Sequence, residues 1–277
     1  MKLTLAYSPC PNDTFAFHAM VHNLVDTGEF EFDVTLADVE ELNRSAQEGR
    51  FDICKVSYSA FFGFCDRYIM LRSGSALGFN NGPLLVHTGE NIPSEEELAE
   101  FSIAIPGEHT TAALLLRSTF PQCRKLIPML YSDIEKAVLD GRSDAGLLIH
   151  EGRFTYEKRG LRLIADMGKL WQDRFGVPVP LGGIAIKREL LNIAPKINEI
   201  LRTSIEFAHA KPYESAEYIA RNAQESDPEV QKSHIELYVN DFTRDIGTLG
   251  KRAVYTLFDK ATDIYPEVKA SANLFIY

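Results

Sequence analysis

The sequence predicts an α/β protein of two lobes, each a mostly parallel sheet flanked by helices, with two crossing strands between them as a hinge. Three observations lead there. Short β-rich runs alternate with helical patterns almost from end to end, as they do where helices cross over a parallel sheet. Two apolar runs, Leu77–His87 and Gly176–Ile186, are interrupted by glycine and proline and resemble long crossings more than compact strands. The length, 277 residues, is about two typical domains. Residues 1–87 and 183–277 then make a discontinuous first lobe with a helical C-terminal part. Residues 88–182 make an inserted second lobe, and a ligand cleft lies between the two.

Taken in order, Leu3–Tyr7 is a strand that ends in the turn residues Ser8-Pro9-Cys10-Pro11-Asn12. In the helix that follows, Phe17, Met20, Val21 and Leu24 fall at i, i+3, i+4 and i+7, one face of a helix. Phe30–Ala37 alternates as a strand does, Asp38–Arg50 is helical, and Ile53–Val56 is a strand. Ser57–Asp66 is a helix that opens on small polar residues. In the second lobe, Ser94 and Glu97 have the spacing of a capping box, and Ser132 and Glu135 repeat it. Ser102–Ile105, Lys125–Met129 and Ala145–Ile149 are strands, and Thr110–Thr119 is a helix. Beyond Arg188 the chain is mainly helical. One face carries Ile197, Ile200, Leu201, Ser204 and Ala208, another Val254, Leu257, Phe258 and Ala261.

Composition excludes several functions. Apolar residues are 45% and charged residues 25%, the balance of a globular protein. Lys and Arg number 29 against 39 Asp and Glu, a net charge of −10, and no basic stripe appears. Nucleic acid and anionic membranes are therefore poor partners, and any anionic ligand must be held by locally arranged donors. No segment approaches the ~20 apolar residues of a membrane span. The apolar run at Leu3–Tyr7 is too short for a signal-peptide core, so a cytoplasmic protein with reduced thiols is expected. Cys10, Cys54, Cys65 and Cys123 form no C-x-x-C pair, and Cys54 has the setting of a small buried hydrophobe. The seven histidines lack zinc-site spacing, so no metal is expected. The G-x-S-x-G elbow, the P-loop and the G-x-G-x-x-G fingerprint are all missing.

The chemistry is expected where strands hand over to helices. Four such junctions carry small polar residues: Ser8–Thr14, residues 55–59, residues 106–111 and residues 150–153. Each offers unpaired backbone N–H groups, and the hydroxyls of Ser57, Thr110 and Thr111 add donors, a setting for a carboxylate or phosphate. The same residues are also ordinary helix caps, with Asn12 or Asp13 capping the first helix and Thr110 the later one. Lys55 ends a strand in an apolar setting and needs a counter-charge: Asp13 or Asp38 within the chain, or a ligand carboxylate. His150 follows Ala145–Ile149 at the carboxyl end of a buried strand. There it is placed either for proton transfer or for bridging backbone groups.

Taken together, Ser8–Phe15, Lys55-Val56-Ser57-Tyr58, Pro106–Ala112, Ile149–Tyr156, Pro180–Gly183 and Tyr238-Val239-Asn240 resemble the 1,4-dihydroxy-6-naphthoate synthase family over nearly the whole chain. The resemblance implies a periplasmic-binding-protein-like fold (type II) used as a cytoplasmic enzyme of the futalosine route to menaquinone. The implied reaction converts cyclic dehypoxanthine futalosine to 1,4-dihydroxy-6-naphthoate by carbon–carbon lysis, with no metal or organic cofactor. It implies His150 as catalytic base and Lys55, Val56, Ser57, Thr110 and Thr111 as substrate contacts. Asn12 and Asp13 form a second tier, and the role of Glu151 is open. A homodimer is compatible with the sequence. The rivals are chorismate dehydratase, a sister enzyme of the same fold and pathway, and a non-enzymatic solute receptor.

Overall fold

The computed structural model describes residues 1–266, 268 and 273–277. The first lobe is built on β1 (Lys2–Tyr7), β2 (Glu31–Leu36), β3 (Ile53–Ser57), β4 (Tyr68–Met70) and β5 (Ala76–Gly78). The second contains β6 (Leu84–His87), β7 (Ser102–Ile105), β8 (Lys125–Pro128), β9 (Ala145–Leu148) and β10 (Arg162–Asp166). The chain then returns to the first sheet as β11 (Val179–Lys187). The strand orders are β2-β1-β3-β11-β4, with β5 also on β11, and β10-β6-β9-β7-β8.

The two-lobed architecture is the one the alternation predicts, but the pairing is more mixed. β1 runs parallel to β2 and β3, and β7 runs parallel to β8 and β9. β11 is antiparallel to β3, β4 and β5, and β6 is antiparallel to β9 and β10. The reason is topological. A strand that arrives from the other lobe is not carried round by a crossover helix, so nothing forces it to run parallel. Likewise Leu77–His87 is not one crossing strand. β5 and β6 lie in different sheets, and the chain passes between lobes at residues 79–83, where Asn80 has φ +58°. Strand pairing thus puts β6 with the second lobe and the start of β11 with the first, so both crossings fall a few residues before the boundaries drawn at 87 and 182.

The first crossing is packed tightly. A Cβ on Gly82 would lie 2.3 Å from the backbone of Gly168, so the two chains touch as only glycine allows. Arg153 pins the same segment, donating to the Gly82 carbonyl at 2.5 Å while it pairs with Asp166 at 2.7 Å. Helix termini follow the sequence in part. Ser94 and Glu97 form the predicted capping box. Ser132 does not cap, because the helix Tyr131–Leu139 already begins one residue before it.

The helical faces predicted beyond Arg188 are buried in helices Ala194–Ala210 and Gly247–Ile264. The latter helix reaches across the lobes. It packs on helices Tyr58–Phe62 and Thr111–Thr119, and one apolar cluster runs from Val56 and Phe62 through Phe258 and Leu257 to Leu114 and Ile103. Arg117 adds a hydrogen bond to the Tyr265 hydroxyl at 2.8 Å. Among the described residues no helix is long and apolar enough to cross a membrane.

Candidate functional site

A cleft of about 690 Å³, partly open to solvent, lies between the lobes at the carboxyl ends of β1, β3, β7 and β9. Asn12, Asp13, Lys55, Val56, Ser57, Thr110, Thr111 and His150 all line it. Long-range folding brings these four junctions together. Each was visible singly in the sequence.

The first-lobe wall holds a compensated charge. Lys55 is buried and forms an ion pair with the buried Asp13, so of the two internal carboxylates open to it Asp13 is the one realised. Asp13 also accepts from the Ser8 hydroxyl at 2.7 Å, the Ser8 N–H at 3.3 Å and the Asn12 amide at 2.9 Å. A buried ion pair survives only with this kind of hydrogen-bond support. Neither Asn12 nor Asp13 caps the helix Pro11–Val21. Proline at its first position shifts the N-cap to Cys10, which makes no side-chain capping bond.

The hydroxyls expected to hold a ligand already have partners. Thr110 caps its helix, accepting from the Ala113 N–H at 3.2 Å and donating to the Gly107 carbonyl at 2.9 Å. Thr111 donates across the lobes to the Leu181 carbonyl at 2.7 Å and accepts from the Ser59 N–H at 3.3 Å. Ser57 Oγ accepts from the Asn43 amide at 3.2 Å, which leaves its own proton for the cleft. The donors remaining in the second lobe are first-turn backbone N–H groups at Thr111 and Ala112.

The second-lobe wall holds His150. Its φ of +53° is in the left-handed region, an uncommon conformation for a residue with a side chain. The turn aims the ring back over the cleft. Nδ1 lies 3.4 Å from Cys10 Sγ, and the ring packs on Tyr131 at 4.6 Å between centroids. Burial lowers the His150 pKa, and nearby Lys55 lowers it further against the opposing pull of Glu151, Asp38 and Asp13. The imidazole is therefore neutral at neutral pH. Burial, with the negative charge of Glu151, pushes the Cys10 thiol well up, so the sulfur is uncharged.

Two site residues, His234 and Asn81, escaped the sequence reading, and Tyr238 entered it only as part of the motif Tyr238-Val239-Asn240. His234 and Tyr238 lie one turn apart on helix Pro228–Tyr238 and close the cleft from the first lobe. The His234 ring is parallel to that of His150, 5.9 Å away. The available signal was the i, i+4 pair of polar aromatics within a helix otherwise rich in charge. Asn81 sits on the first crossing, and no local pattern marks it. Among the described residues no three His, Cys, Asp or Glu side chains gather so as to hold a metal ion.

Comparison with known proteins agrees in one direction. A family model described as menaquinone biosynthesis matches residues 3–263. A 1,4-dihydroxy-6-naphthoate synthase from Thermus thermophilus is 43% identical over 94% of this chain and 93% of its own length. One of the same name from Streptomyces coelicolor is 42% identical over 94% and 92%. A structural-genomics protein from Archaeoglobus fulgidus superposes with a TM-score of 0.89 at 34% identity, covering 95% of this chain and 97% of that one. The alkanesulfonate-binding protein of Xanthomonas axonopodis pv. citri superposes at 0.71 with 12% identity, over 99% and 96%, a likeness of fold alone.

Proposed function

From the chain's membership of the menaquinone biosynthesis family, which makes it an enzyme of that process, we propose that it is a 1,4-dihydroxy-6-naphthoate synthase. The substrate is cyclic dehypoxanthine futalosine, and the reaction is a base-initiated carbon–carbon lysis. The observation that carries the chemistry is His150, a neutral, partly buried imidazole turned into the cleft by a left-handed backbone. A base working through Nε2 carries its proton on Nδ1, and Cys10 Sγ is the acceptor beside it at 3.4 Å. His150 removes a proton from the substrate, and the electron pair released breaks a carbon–carbon bond in the retro-aldol sense. The Ser57 hydroxyl, the backbone N–H groups at the start of helix Thr111–Thr119 and Lys55 meet the substrate oxygens. Thr110 and Thr111 act by setting that helix end in place.

The chemistry needs no metal or organic cofactor, and we assign the enzyme to the cytoplasm. Its partner is an anionic small molecule, not nucleic acid or a membrane, and it is free to form a homodimer. Incubating the pure protein with the cyclic futalosine, and separately with chorismate, tests the reading. Formation of 1,4-dihydroxy-6-naphthoate is expected. Consumption of chorismate without it would overturn the assignment in favour of the dehydratase, and binding without turnover in favour of a receptor.

A further inference from the structure

Behind His150 two buried acceptors face each other. His234 Nδ1 and Glu151 Oε1 are 3.8 Å apart, and among the described residues neither has a hydrogen-bond partner. His234 is 1% exposed and Glu151 7%. The tautomer follows from the neighbouring amide. Asn12 donates its N–H to Asp13 Oδ1 at 2.9 Å, so its oxygen faces His234 Nε2, also at 2.9 Å. Nε2 must therefore carry a proton and donate. In a neutral ring this leaves Nδ1 as a bare lone pair pointed at a carboxylate, an arrangement that costs the desolvation of both groups.

The surroundings offer no other cation. The charge of Lys55 is balanced by Asp13, even where its ammonium also meets the ligand. Arg153 is committed to Asp166, and on the far side of Glu151 Arg159 is committed to Glu135 at 2.6 Å, with Glu225 at 3.9 Å. Cys10, Tyr131 and Tyr238 stay protonated, since burial raises all three. His150 is neutral in the unliganded cleft, and burial, with the neighbouring His150 and Lys55, holds His234 neutral too. An anionic ligand entering here adds a charge that no unbalanced fixed cation is left to offset, since Lys55 already carries Asp13 as its counter-charge. His234 stands on the first lobe and Glu151 on the second, so an approach of about 1 Å between lobes brings them to charge-assisted hydrogen-bond distance.

We infer that ligand binding draws one proton from solvent into this site, held between His234 Nδ1 and Glu151 Oε1 across the two lobes. The inference rests on the proposed anionic ligand. It makes the pair a proton-coupled clasp whose closure compensates the ligand's charge. Glu151→Gln supplies an N–H to Nδ1 permanently and so mimics the loaded pair.

The test is calorimetric titration with 1,4-dihydroxy-6-naphthoate in buffers of different ionisation enthalpy. Uptake of about one proton per molecule bound is expected in the native protein, and uptake near zero in Glu151→Gln. His150→Asn should keep the native uptake. Equal uptake in the native protein and Glu151→Gln, or its loss in His150→Asn, would overturn the inference. If the naphthoate does not bind at all, the substrate assignment fails, and the pair is judged by ¹⁵N resonances of His234 in the ligand-free protein. A bare Nδ1 at neutral pH that becomes hydrogen-bonded in Glu151→Gln is expected. An Nδ1 already protonated, or one unmoved by Glu151→Gln, overturns the pair whatever the ligand.

Discussion

Read from its outer parallel edge, the first sheet runs β2-β1-β3-β11-β4 and the second β8-β7-β9-β6-β10. The pairs follow in the same succession: parallel, parallel, antiparallel, antiparallel. Position for position, Cys10 at the start of helix Pro11–Val21 therefore corresponds to Thr110 at the start of helix Thr111–Thr119. The end of β3 corresponds likewise to the end of β9. The equivalent positions do different work. Thr110 spends its hydroxyl on its own helix, whereas Cys10 leaves its helix without a side-chain cap and turns its sulfur to His150. Two residues before its end β3 carries a lysine neutralised by Asp13, and two residues beyond the end of β9 stands a histidine that burial keeps uncharged. One lobe thus contributes a fixed, compensated charge and the other a titratable group. A cleft between such walls can move a proton without rearranging its ion pairs.

The comparison is broken most directly at His150. If the second lobe supplies the base, His150→Ala lowers kcat by ~10²–10⁴-fold and leaves product affinity nearly unchanged. A raised KM at constant kcat, measured on the cyclic futalosine, would make the residue a binding group. Next in size is the first-lobe pair. Lys55→Met leaves Asp13 buried and unpaired and should cost ~3–5 kcal/mol of stability, whereas Lys55→Met with Asp13→Asn should recover much of it. Denaturant melts of both variants decide this. Additive losses would mean that the two side chains are not coupled.

The two N-caps separate stability from chemistry. Thr110→Val should lower stability by ~1 kcal/mol through loss of the cap. Cys10→Ala has no capping bond to lose. It removes the sulfur beside Nδ1 and should reduce kcat by roughly tenfold, the worth of one hydrogen bond in the transition state. Thermal melts and steady-state rates on both variants check the contrast, which fails if Cys10→Ala alters stability alone.

The smallest effect concerns the rim, where His109 of the second lobe meets Glu40 of the first at 2.8 Å. The hydrogen bond to Glu40 raises the His109 pKa. Its contribution is therefore complete below the unfolded value of ~6.5 and is lost as pH rises through the higher folded value. With His109 half exposed, the contact is worth less than ~1 kcal/mol. The stability gap between native protein and His109→Gln should close as pH rises from ~6.5. His150 and the buried His234 have the opposite sign, and their neutral forms lose stability below that range, so the alkaline side is the clean window.

The sequence alone determined the two-lobed plan and the four junctions, because both rest on local physics. Apolar period marks β1, β7 and the helix faces at Ile197–Ala208. Glycine and proline mark the crossings. Small polar residues after a strand mark helix starts whose N–H groups are open. Topology decided that the crossing strands run antiparallel, since each enters its sheet from the other lobe and not by a crossover within one sheet. Proline at the first position of helix Pro11–Val21 moved the cap to Cys10, against the expectation for Asn12 and Asp13. Which of two internal carboxylates Lys55 takes, and whether the hydroxyls of Thr110 and Thr111 face a ligand or their own backbone, depends on distances between segments far apart in the chain. His234 is the clearest case. It lies 222 residues from Asn12 and 83 from Glu151, and on its helix it is one polar residue among several. Only packing, which buried its ring and set the amide that chooses its tautomer, turned it into part of the site.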